Sequence, residues 1–326
     1  MIVTLTLNPS LDLTYALAED ALTDRDIHRT RTQTLEPSGK GVNVSLDLHA
    51  AGVPTRAVLP TAGGTGRHLS DLLDAAGLAH RGVAVAGECR INTSLLLADG
   101  RTIKVNGPGS PLAEPDFERT LATLVAALET PSEAGERWLV VAGSLPPGIA
   151  PESVCRILAL AREHGYASAA DLSGPALRAA LDAGADLIAP NDLELAELTG
   201  DPTLTGATPE AVADAAAGLA RASGSEVLVS MGAAGAVWSD GKRALHGSGP
   251  ALTPVNTAGA GDAFLAGWLA APGDPTQRMA RALAWGRSSC LCPTTVDPQP
   301  GTRGSAGIRV RKLRPHTDPT PEGSQP

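Results

Sequence analysis

The sequence lacks the features that mark several large classes of protein. Its four cysteines form no Cys-x-x-Cys pair, which indicates neither a zinc site nor a disulfide framework and fits a reducing cytoplasm best. No apolar run is long enough to span a bilayer, and the N-terminal stretch, without a basic region or a cleavage pattern, is expected to be a strand rather than a signal peptide. The net charge of -9 argues against a nucleic-acid surface, because phosphate contacts require clustered Lys and Arg.

Two familiar nucleotide-binding loops are also missing. There is no Gly-x-x-x-x-Gly-Lys-Ser/Thr loop, and the run from Gly259 to Phe264 lacks the third glycine of a dinucleotide fingerprint. A hydride-transfer enzyme is therefore disfavoured, and a phosphate site must have another architecture. Lysine is scarce as well, with only four residues, at 40, 104, 242 and 312, against a large excess of arginine. Each retained lysine therefore hints at a need for a compact ammonium.

What the sequence does contain is an alternation of short β-branched runs and longer Ala/Leu-rich helical patterns. Its 326 residues suffice for one large α/β domain. Strands are expected at 2–7, 55–61, 137–142, 167–171, 186–189 and 226–230, and helices at 40–51, 66–77, 151–164, 192–199, 208–222, 262–271 and 275–291. This alternation predicts an α/β fold with a mainly parallel central sheet and helices on both faces.

Two stretches break the alternation. Residues 91–98 and 101–106 flank Asp99-Gly100, a dipeptide typical of a type I′ hairpin, and residues 13–35 are polar and β-leaning. Together they could form a small extra sheet beside the main one, while Asp240-Gly241 predicts another hairpin. From residue 297 onward Pro, Gly, Ser and Arg dominate, so the domain is placed at 1–296 and residues 297–326 are expected to form a disordered tail.

The sharpest local signal is a loop of small residues, Gly259-Ala260-Gly261-Asp262, that runs directly into a helix with an apolar face. Glycines let the backbone approach a ligand closely, and the free N–H groups at a helix start favour anions. A carboxylate at Asp262 is also kept ionised by the helix dipole. Taken alone, however, Asp262 is explained equally well as a simple helix cap.

Three further motifs carry polar side chains at expected strand ends and helix starts. Gly39 and Gly41 bracket a scarce lysine, Lys40, and Asn43 follows on the first helical turn, so that N–H groups, an ammonium and an amide would converge on an anionic or hydroxylated ligand. Asp12 follows the first strand, where open parallel sheets bind ligands, although it also suits a turn. Asn191 and Glu194 share a helix face, where they could organise the waters of a magnesium ion, cap the helix, or do both.

In this order the four motifs resemble the ribokinase-like (PfkB) carbohydrate kinases, in the branch that contains 1-phosphofructokinase and tagatose-6-phosphate kinase. The likeness runs from Thr6 to about Gly286 and includes Arg90-Ile91-Asn92, Lys104-Val105-Asn106-Gly107-Pro108-Gly109, Gly143-Ser144-Leu145-Pro146-Pro147-Gly148 and Asp171-Leu172-Ser173-Gly174. The resemblance implies a three-layer αβα sandwich with a small β-sheet lid, from about 13–35 and 85–106. Because such a lid often pairs two subunits in this family, it also implies a homodimer.

The resemblance implies a role for each candidate residue in the ATP- and magnesium-dependent phosphorylation of a sugar phosphate. Asp262 would take the proton from the sugar hydroxyl, and the backbone N–H groups of Gly259, Ala260 and Gly261 would form an anion hole. The remaining residues are assigned by ligand. Asp12, Gly39 and Asn43 are assigned to the sugar, and Lys40, Arg90 and Arg29 to its existing phosphate, with Asn92, Lys104 and Ser144 nearby. Asn191 and Glu194 are assigned to the magnesium network, and Asn191, Ser230, Gly232 and Asn256 to the nucleotide.

The sequence departs from the pattern of this branch at several positions. Ser38 replaces the first glycine of Gly-Gly-Lys-Gly, Ala189 replaces the lysine of Lys-Pro-Asn, and Gly107 replaces a glutamate. Ala234 and Ala258 differ as well, yet the base and the anion hole are intact. We therefore expect phosphorylation of fructose 1-phosphate to fructose 1,6-bisphosphate. Tagatose 6-phosphate or fructose 6-phosphate as acceptor stays open, as does a non-catalytic sugar-phosphate sensor on a decayed kinase fold.

Overall fold

The computed structural model describes residues 1–22, 27–99, 101–131 and 135–314. The strands, in chain order, are β1 (Ile2–Leu5), β2 (Ser10–Leu17), β3 (Thr30–Ser38), β4 (Thr55–Ala62), β5 (His80–Val85), β6 (Arg90–Leu96), β7 (Thr102–Asn106), β8 (Trp138–Ala142), β9 (Ala167–Asp171), β10 (Leu187–Ile188), β11 (Glu226–Ser230), β12 (Ala236–Ser239), β13 (Ala244–Ser248) and β14 (Arg309–Leu313). The helices are α1 (Lys40–Ala50), α2 (Gly63–Ala75), α3 (Glu114–Leu128), α4 (Ser153–Glu163), α5 (Gly174–Asp182), α6 (Asp192–Thr199), α7 (Pro209–Ser223), α8 (Ala260–Leu269) and α9 (Pro275–Cys290).

A large sheet organises these elements, with the strand order β14-β13-β12-β11-β10-β9-β8-β1-β4-β5. The strands from β11 to β5 in this order pair in parallel, and β12, β13 and β14 add an antiparallel edge. Alternate side chains enter opposite cores: Leu139 and Val141 of β8 pack with helices α3 to α7, whereas Val140 and Ala142 pack with α1, α8 and α9. The predicted αβα sandwich is therefore confirmed.

A second, smaller sheet of order β3-β2-β6-β7 forms the lid, and it contains the predicted β6–β7 hairpin. Gly100, which was expected to shape the turn of that hairpin, lies outside the described residues. Side chains of residues directly opposite one another in a sheet share a face. The register places Asp12 opposite both Glu36 of β3 and Asn92 of β6. The lid therefore has one polar face that carries these three side chains.

Glycine is required where α1 begins. Gly39 precedes Lys40 with a φ of 118°, and a Cβ on it would lie 2.8 Å from Cγ2 of Thr6. A left-handed φ at such a crowded position admits glycine alone at low cost. The start of α1 is thereby packed against the chain that leaves β1, beside the carboxyl edge of the parallel sheet.

Some elements have no counterpart among the expected ones. Helix α3 is one of them, although Phe117, Leu121 and Leu124 recur at helical spacing and are buried. The expectation of a disordered tail from residue 297 is wrong for the described part, because β14 pairs with β13 at the edge of the sheet. The stability of this strand comes from pairing with a distant segment, which its Pro- and Gly-rich surroundings do not reveal. Residues 315–326 lie outside the described part.

No helix in the described ranges combines the length and the apolar character that crossing a membrane requires. The cytoplasmic location inferred from the cysteines stays a prediction.

Candidate active site

Asp262 lies in the first turn of α8, where the backbone N–H groups have no partner within the helix. Its side chain is only 7% exposed, and Asn43 Nδ2 donates a hydrogen bond of 2.7 Å to its Oδ2 atom. Gly259 precedes the helix with a φ of 76°. A Cβ at Gly261 would meet no atom within 4 Å, so there is open space beside these N–H groups. An anion can therefore reach the start of α8 next to the Asp262 carboxyl.

The explanation of Asp262 as a helix cap is not supported, because Gly259 occupies the cap position and no side chain caps α8. Burial raises the pKa of Asp262 to about 7, and the neighbouring Asp171 adds to this effect. The Lys40 ammonium and the hydrogen bond from Asn43 act in the opposite direction. A carboxyl that titrates near neutral pH is suited to accept a proton during catalysis.

Lys40 lies near the carboxylates of Asp171 and Glu194 and interacts electrostatically with that of Asp262. Its Nζ atom donates a hydrogen bond of 2.7 Å to Asp171 Oδ1 and lies 3.9 Å from Glu194 Oε1. Burial by itself would lower the pKa of Lys40, but Asp171, Asp262 and Glu194 raise it above its ordinary value, so the ammonium stays charged. The structure thus brings Lys40 to the carboxylate cluster. Its assignment to the phosphate of the sugar stays a prediction.

Asn191 and Glu194 form a reciprocal capping box at the start of α6, as one interpretation of the sequence predicted. Asn191 Oδ1 accepts a hydrogen bond from the Glu194 amide at 2.8 Å, and Glu194 Oε2 accepts one from the Asn191 amide at 2.9 Å. Burial raises the pKa of Glu194, while Lys40 acts against this rise. Capping occupies one oxygen of Glu194 and leaves Oε1 on the side of Lys40 and Asp171.

In the described part of the chain, no cluster of three or more His, Cys, Asp or Glu could hold a metal ion by itself. Magnesium, however, is usually held by one or two carboxylates together with water and substrate phosphates. Asp171 and Glu194, which both approach Lys40, fit that smaller requirement. The sequence assigns Asp171 no role, although the residue lies in a stretch that resembles the family; its position at the end of β9 is the signal that identifies it.

Asp12 is the centre of a hydrogen-bond network on the polar face of the lid. Its Oδ1 atom accepts from Ser10 Oγ at 2.8 Å and from Asn92 Nδ2 at 3.0 Å, and its Oδ2 atom accepts from Ser38 Oγ at 2.9 Å. Every positive φ in the described residues belongs to a glycine, so Ser38 fits its position without left-handed backbone. Its hydroxyl also lies 3.3 Å from Asn43 Oδ1. The departure from glycine at Ser38 therefore supplies a hydroxyl that fixes Asp12.

Arg90 and Asn92 carry polar atoms that have no partner. Arg90 Nη1 donates to the Gly107 carbonyl at 3.2 Å, but its Nε atom is buried without a hydrogen bond, as is the Oδ1 atom of Asn92. Burial lowers the pKa of Arg90, and Asp12 counteracts this effect. Buried polar groups without partners are rare, because they cost free energy unless a ligand or water completes them. These two atoms support a ligand site between Arg90 and Asp12.

Other predicted residues are distributed around this centre. Ser144 accepts a hydrogen bond of 3.1 Å from Asn8, a residue whose positioning role the sequence did not reveal. Lys104 is exposed on β7 and pairs with Ser94 on the polar face of the lid. Arg29 is not brought to the site. It lines a surface groove with Tyr15, whose side chain lies on the lid face away from Asp12.

Ser230, Gly232 and Asn256, which are assigned to the nucleotide, lie at the end of β11 and in loops near the carboxyl edge of the sheet. Ser230 ends β11 and bridges to Asn191, which joins this edge to the carboxylate cluster. Gly232 follows with a φ of 53°, and no atom lies within 4 Å of a Cβ built on it. Asn256 Oδ1 accepts the Ala258 amide at 2.9 Å, so Asn256 shapes the loop that leads to the start of α8. Their contacts with a nucleotide stay predictions.

Comparison with known proteins decides the family. The profile of the family described as pfkB family carbohydrate kinase matches residues 5–296. The chain belongs to this family. It is 34% identical over 325 residues to the 1-phosphofructokinase of Rhodobacter capsulatus, covering 96% of this chain and 98% of the relative. It is also 34% identical over 270 residues to the 1-phosphofructokinase of Vibrio cholerae serotype O1, covering 82% and 81%.

Among solved structures, phosphofructokinase-2 from Escherichia coli in complex with substrates and products is similar, with a TM-score of 0.84 at 28% identity. The match covers 94% of this chain and 98% of that chain. This PfkB kinase is therefore an ATP-dependent sugar kinase with the ribokinase-like architecture.

Proposed function

We propose that this PfkB kinase transfers the γ-phosphate of ATP to the C6 hydroxyl of fructose 1-phosphate, which yields fructose 1,6-bisphosphate and ADP. The observation that carries the proposal is the buried carboxyl of Asp262, which has a pKa of about 7 and lies at the open start of α8. The two relatives described above, both 1-phosphofructokinases, support the choice of acceptor.

The reaction needs a proton acceptor and a site for the developing negative charge. Asp262 accepts the proton of the sugar hydroxyl as that oxygen bonds to the γ-phosphorus and the bond to the bridging oxygen of ADP breaks. Asn43 holds Oδ2 of Asp262, which orients the carboxyl. The N–H groups of Gly259, Ala260 and Gly261 stabilise the transferred group, because they belong to the helix start and lack internal partners.

The acceptor sugar and its existing phosphate are assigned to the lid. Asp12, fixed by Ser10, Ser38 and Asn92, accepts hydrogen bonds from sugar hydroxyls. Arg90 retains a buried Nε donor without a partner. Guanidinium groups bind phosphate oxygens strongly, since their donors are charged and lie in one plane. Lys104, exposed on the same lid face, adds a second cation.

Asp171, Glu194 and Asn191 are the groups that would hold magnesium with its waters. When bound, the ion would neutralise charge on the phosphates of the nucleotide. The chain's own contribution is to keep these carboxylates close together, which Lys40 does by bonding Asp171 and lying near Glu194. Without that ammonium the clustered carboxylates would repel one another and the substrate phosphates.

The proposal is tested by ADP release in a coupled assay with fructose 1-phosphate, fructose 6-phosphate, tagatose 6-phosphate and unphosphorylated fructose. We expect the highest kcat/KM with fructose 1-phosphate and a value at least about 10-fold lower with fructose, which cannot pair with the cations of the lid. Turnover with none of the phosphorylated hexoses would contradict the proposal. Calorimetric binding of a sugar phosphate without ADP release would instead support a non-catalytic sensor.

A 6-phosphorylated ketohexose is the second candidate acceptor. The similarity to phosphofructokinase-2, at a TM-score of 0.84, favours it. The chemistry at Asp262 is the same for both acceptors, so only the relative kcat/KM values distinguish them. A higher kcat/KM with fructose 6-phosphate than with fructose 1-phosphate would transfer the proposal to this candidate.

The lid also supports the predicted homodimer. Ile91, Ile103 and Val105 are exposed by 43%, 37% and 59%. The register places all three on the face opposite Asp12 and Asn92. A face with several exposed aliphatic residues favours burial against a second copy. Light scattering is expected to give a dimer that Val105→Asp dissociates, whereas Thr102→Asp, on the polar face of β7, leaves it intact. A monomeric wild-type chain at assay concentrations would contradict the dimer.

A further inference from the structure

Glu36 of the lid contacts a loop that lies 259 residues further along the chain. Its Oε1 atom accepts the Thr295 amide at 3.2 Å, and its Oε2 atom accepts the Thr295 hydroxyl at 3.1 Å. Burial raises the pKa of Glu36, while the two hydrogen bonds from Thr295 oppose this rise. A carboxylate at the end of a lid strand is thus partly removed from water and used to hold one residue of the loop after α9.

Thr295 lies directly behind the anion hole. It is only 4% exposed, and its carbonyl oxygen would overlap a Cβ placed on Gly259. Gly259 has a left-handed φ of 76° and precedes the first turn of α8. A displacement of Thr295 would therefore also displace Gly259, the residue that starts the anion hole, because no free space separates the two backbones.

On its other side, Glu36 is connected to the sugar site. It lies directly opposite Asp12 in the β2–β3 pair, so the two side chains share the polar face of the lid. Ser38, two residues along β3 on the same face, donates a hydrogen bond to Asp12. Strand β3 therefore both fixes Asp12, through Ser38, and holds Thr295, through Glu36.

We propose that Glu36 is a positioning residue, which couples the sugar site on the lid to the anion hole through Thr295 and Gly259. This inference rests on the proposed function, because it assigns Glu36 a part in the same phosphoryl transfer. The coupling acts on the transition state, where the anion hole bears most charge, so its loss lowers kcat more than it changes the KM for ATP.

The test compares Glu36→Ala, Thr295→Val and the double variant with Thr34→Ala, which truncates an exposed residue on the same strand and face. Glu36→Ala is expected to lower kcat about 10-fold, and Thr295→Val, which keeps the backbone N–H, about 3-fold. The double variant should be no slower than Glu36→Ala, since both changes break one contact. Glu36→Gln keeps an acceptor for Thr295 and should recover most of the lost kcat.

Wild-type turnover in the same assay distinguishes a failure of the proposed function from a failure of the coupling alone. An inactive wild type overturns the proposed function and the coupling together. With an active wild type, a kcat of Glu36→Ala equal to that of Thr34→Ala overturns the coupling alone, as do additive effects in the double variant. If Glu36→Ala fails to fold, the kcat of Thr295→Val decides. A kcat equal to that of the wild type contradicts the coupling. A loss of about 3-fold that does not increase when Glu36→Gln is added to Thr295→Val supports the coupling.

Discussion

Replacing Lys40 by Met should move the pH dependence of catalysis to higher pH. The Lys40 ammonium lowers the pKa of Asp262, against the burial and the Asp171 charge that raise it. In Lys40→Met this opposing charge is gone, and Asp171, whose side chain is 8% exposed, loses the partner at 2.7 Å that neutralised it. Both changes favour the protonated form of Asp262, which cannot accept the proton of the sugar hydroxyl.

The size of the effect follows from the position of the charge. A cation within a few ångströms lowers the pKa of a carboxyl by about 1–3. Lys40 has no direct hydrogen bond to Asp262, so the lower end of that range applies. The acid limb of kcat/KM, with its midpoint near the Asp262 pKa of about 7 in the wild type, should move to about pH 8. At pH 7 this corresponds to a loss of about five-fold, on top of any loss that is independent of pH.

The assay is the pH profile of kcat/KM for fructose 1-phosphate between about pH 5.5 and pH 9.5, a range that extends at least about 1.5 units beyond both expected midpoints. Lys104→Met is the matched control, because Lys104 is an exposed lid lysine. It should raise the KM for the sugar phosphate without moving the acid limb. A Lys40→Met profile that is lower at every pH but keeps the wild-type midpoint would refute the electrostatic argument.

Three further predictions concern single residues of the site. Ser38→Gly should raise the KM for fructose 1-phosphate about 5-fold with little change in kcat, since Asp12 loses its 2.9 Å hydrogen bond; an unchanged or lower KM in steady-state kinetics would contradict this. Glu194→Gln should raise the magnesium concentration for half-maximal activity about 10-fold, and Glu197→Gln, exposed on the same helix, should not; equal magnesium titrations would refute the assignment. Asp262→Asn should raise Tm above pH 7 by about 3 °C and lose this advantage as the pH falls toward about 4. The reason is that a carboxyl whose pKa is raised from 3.8 to about 7 stabilises the fold in acid and destabilises it above its folded pKa. A gain in Tm that is constant across pH in calorimetry would contradict this.

The elements that could be predicted from the sequence are those with strong local periodicity. Helix α6, for example, was expected at 192–199 and occurs at Asp192–Thr199, because its capping box and its apolar face are both local. Strand β14 could not be predicted in this way, since it depends on pairing with β13. The missed α3 is different: its buried Phe117 and Leu121 follow a helical pattern that the sequence displays.

The site was predictable in its membership more than in its contacts. Hydrogen bonds from Ser38 to Asp12, from Ser38 to Asn43 and from Asn43 to Asp262 place three residues that the sequence singled out in one network. The position of Lys40 was not predictable, because a lysine between two glycines can bind a phosphate or a carboxylate equally well. In the structure its ammonium donates a hydrogen bond to the Asp171 carboxylate. The Glu36–Thr295 contact joins segments that no local pattern connects. Arg29 precedes β3 and lines the groove beside Tyr15, so its assignment to the sugar phosphate stays a prediction.

The central claim is that Asp262 accepts the proton of the sugar hydroxyl during phosphoryl transfer. It is tested most directly by kcat of Asp262→Asn with fructose 1-phosphate and ATP, beside Asp274→Asn, which changes the exposed cap of α9 in the same chemical way. The account predicts a loss of about 1,000-fold for Asp262→Asn, with the fold intact by circular dichroism, and no loss for Asp274→Asn. A kcat for Asp262→Asn within about 10-fold of the wild type would contradict it.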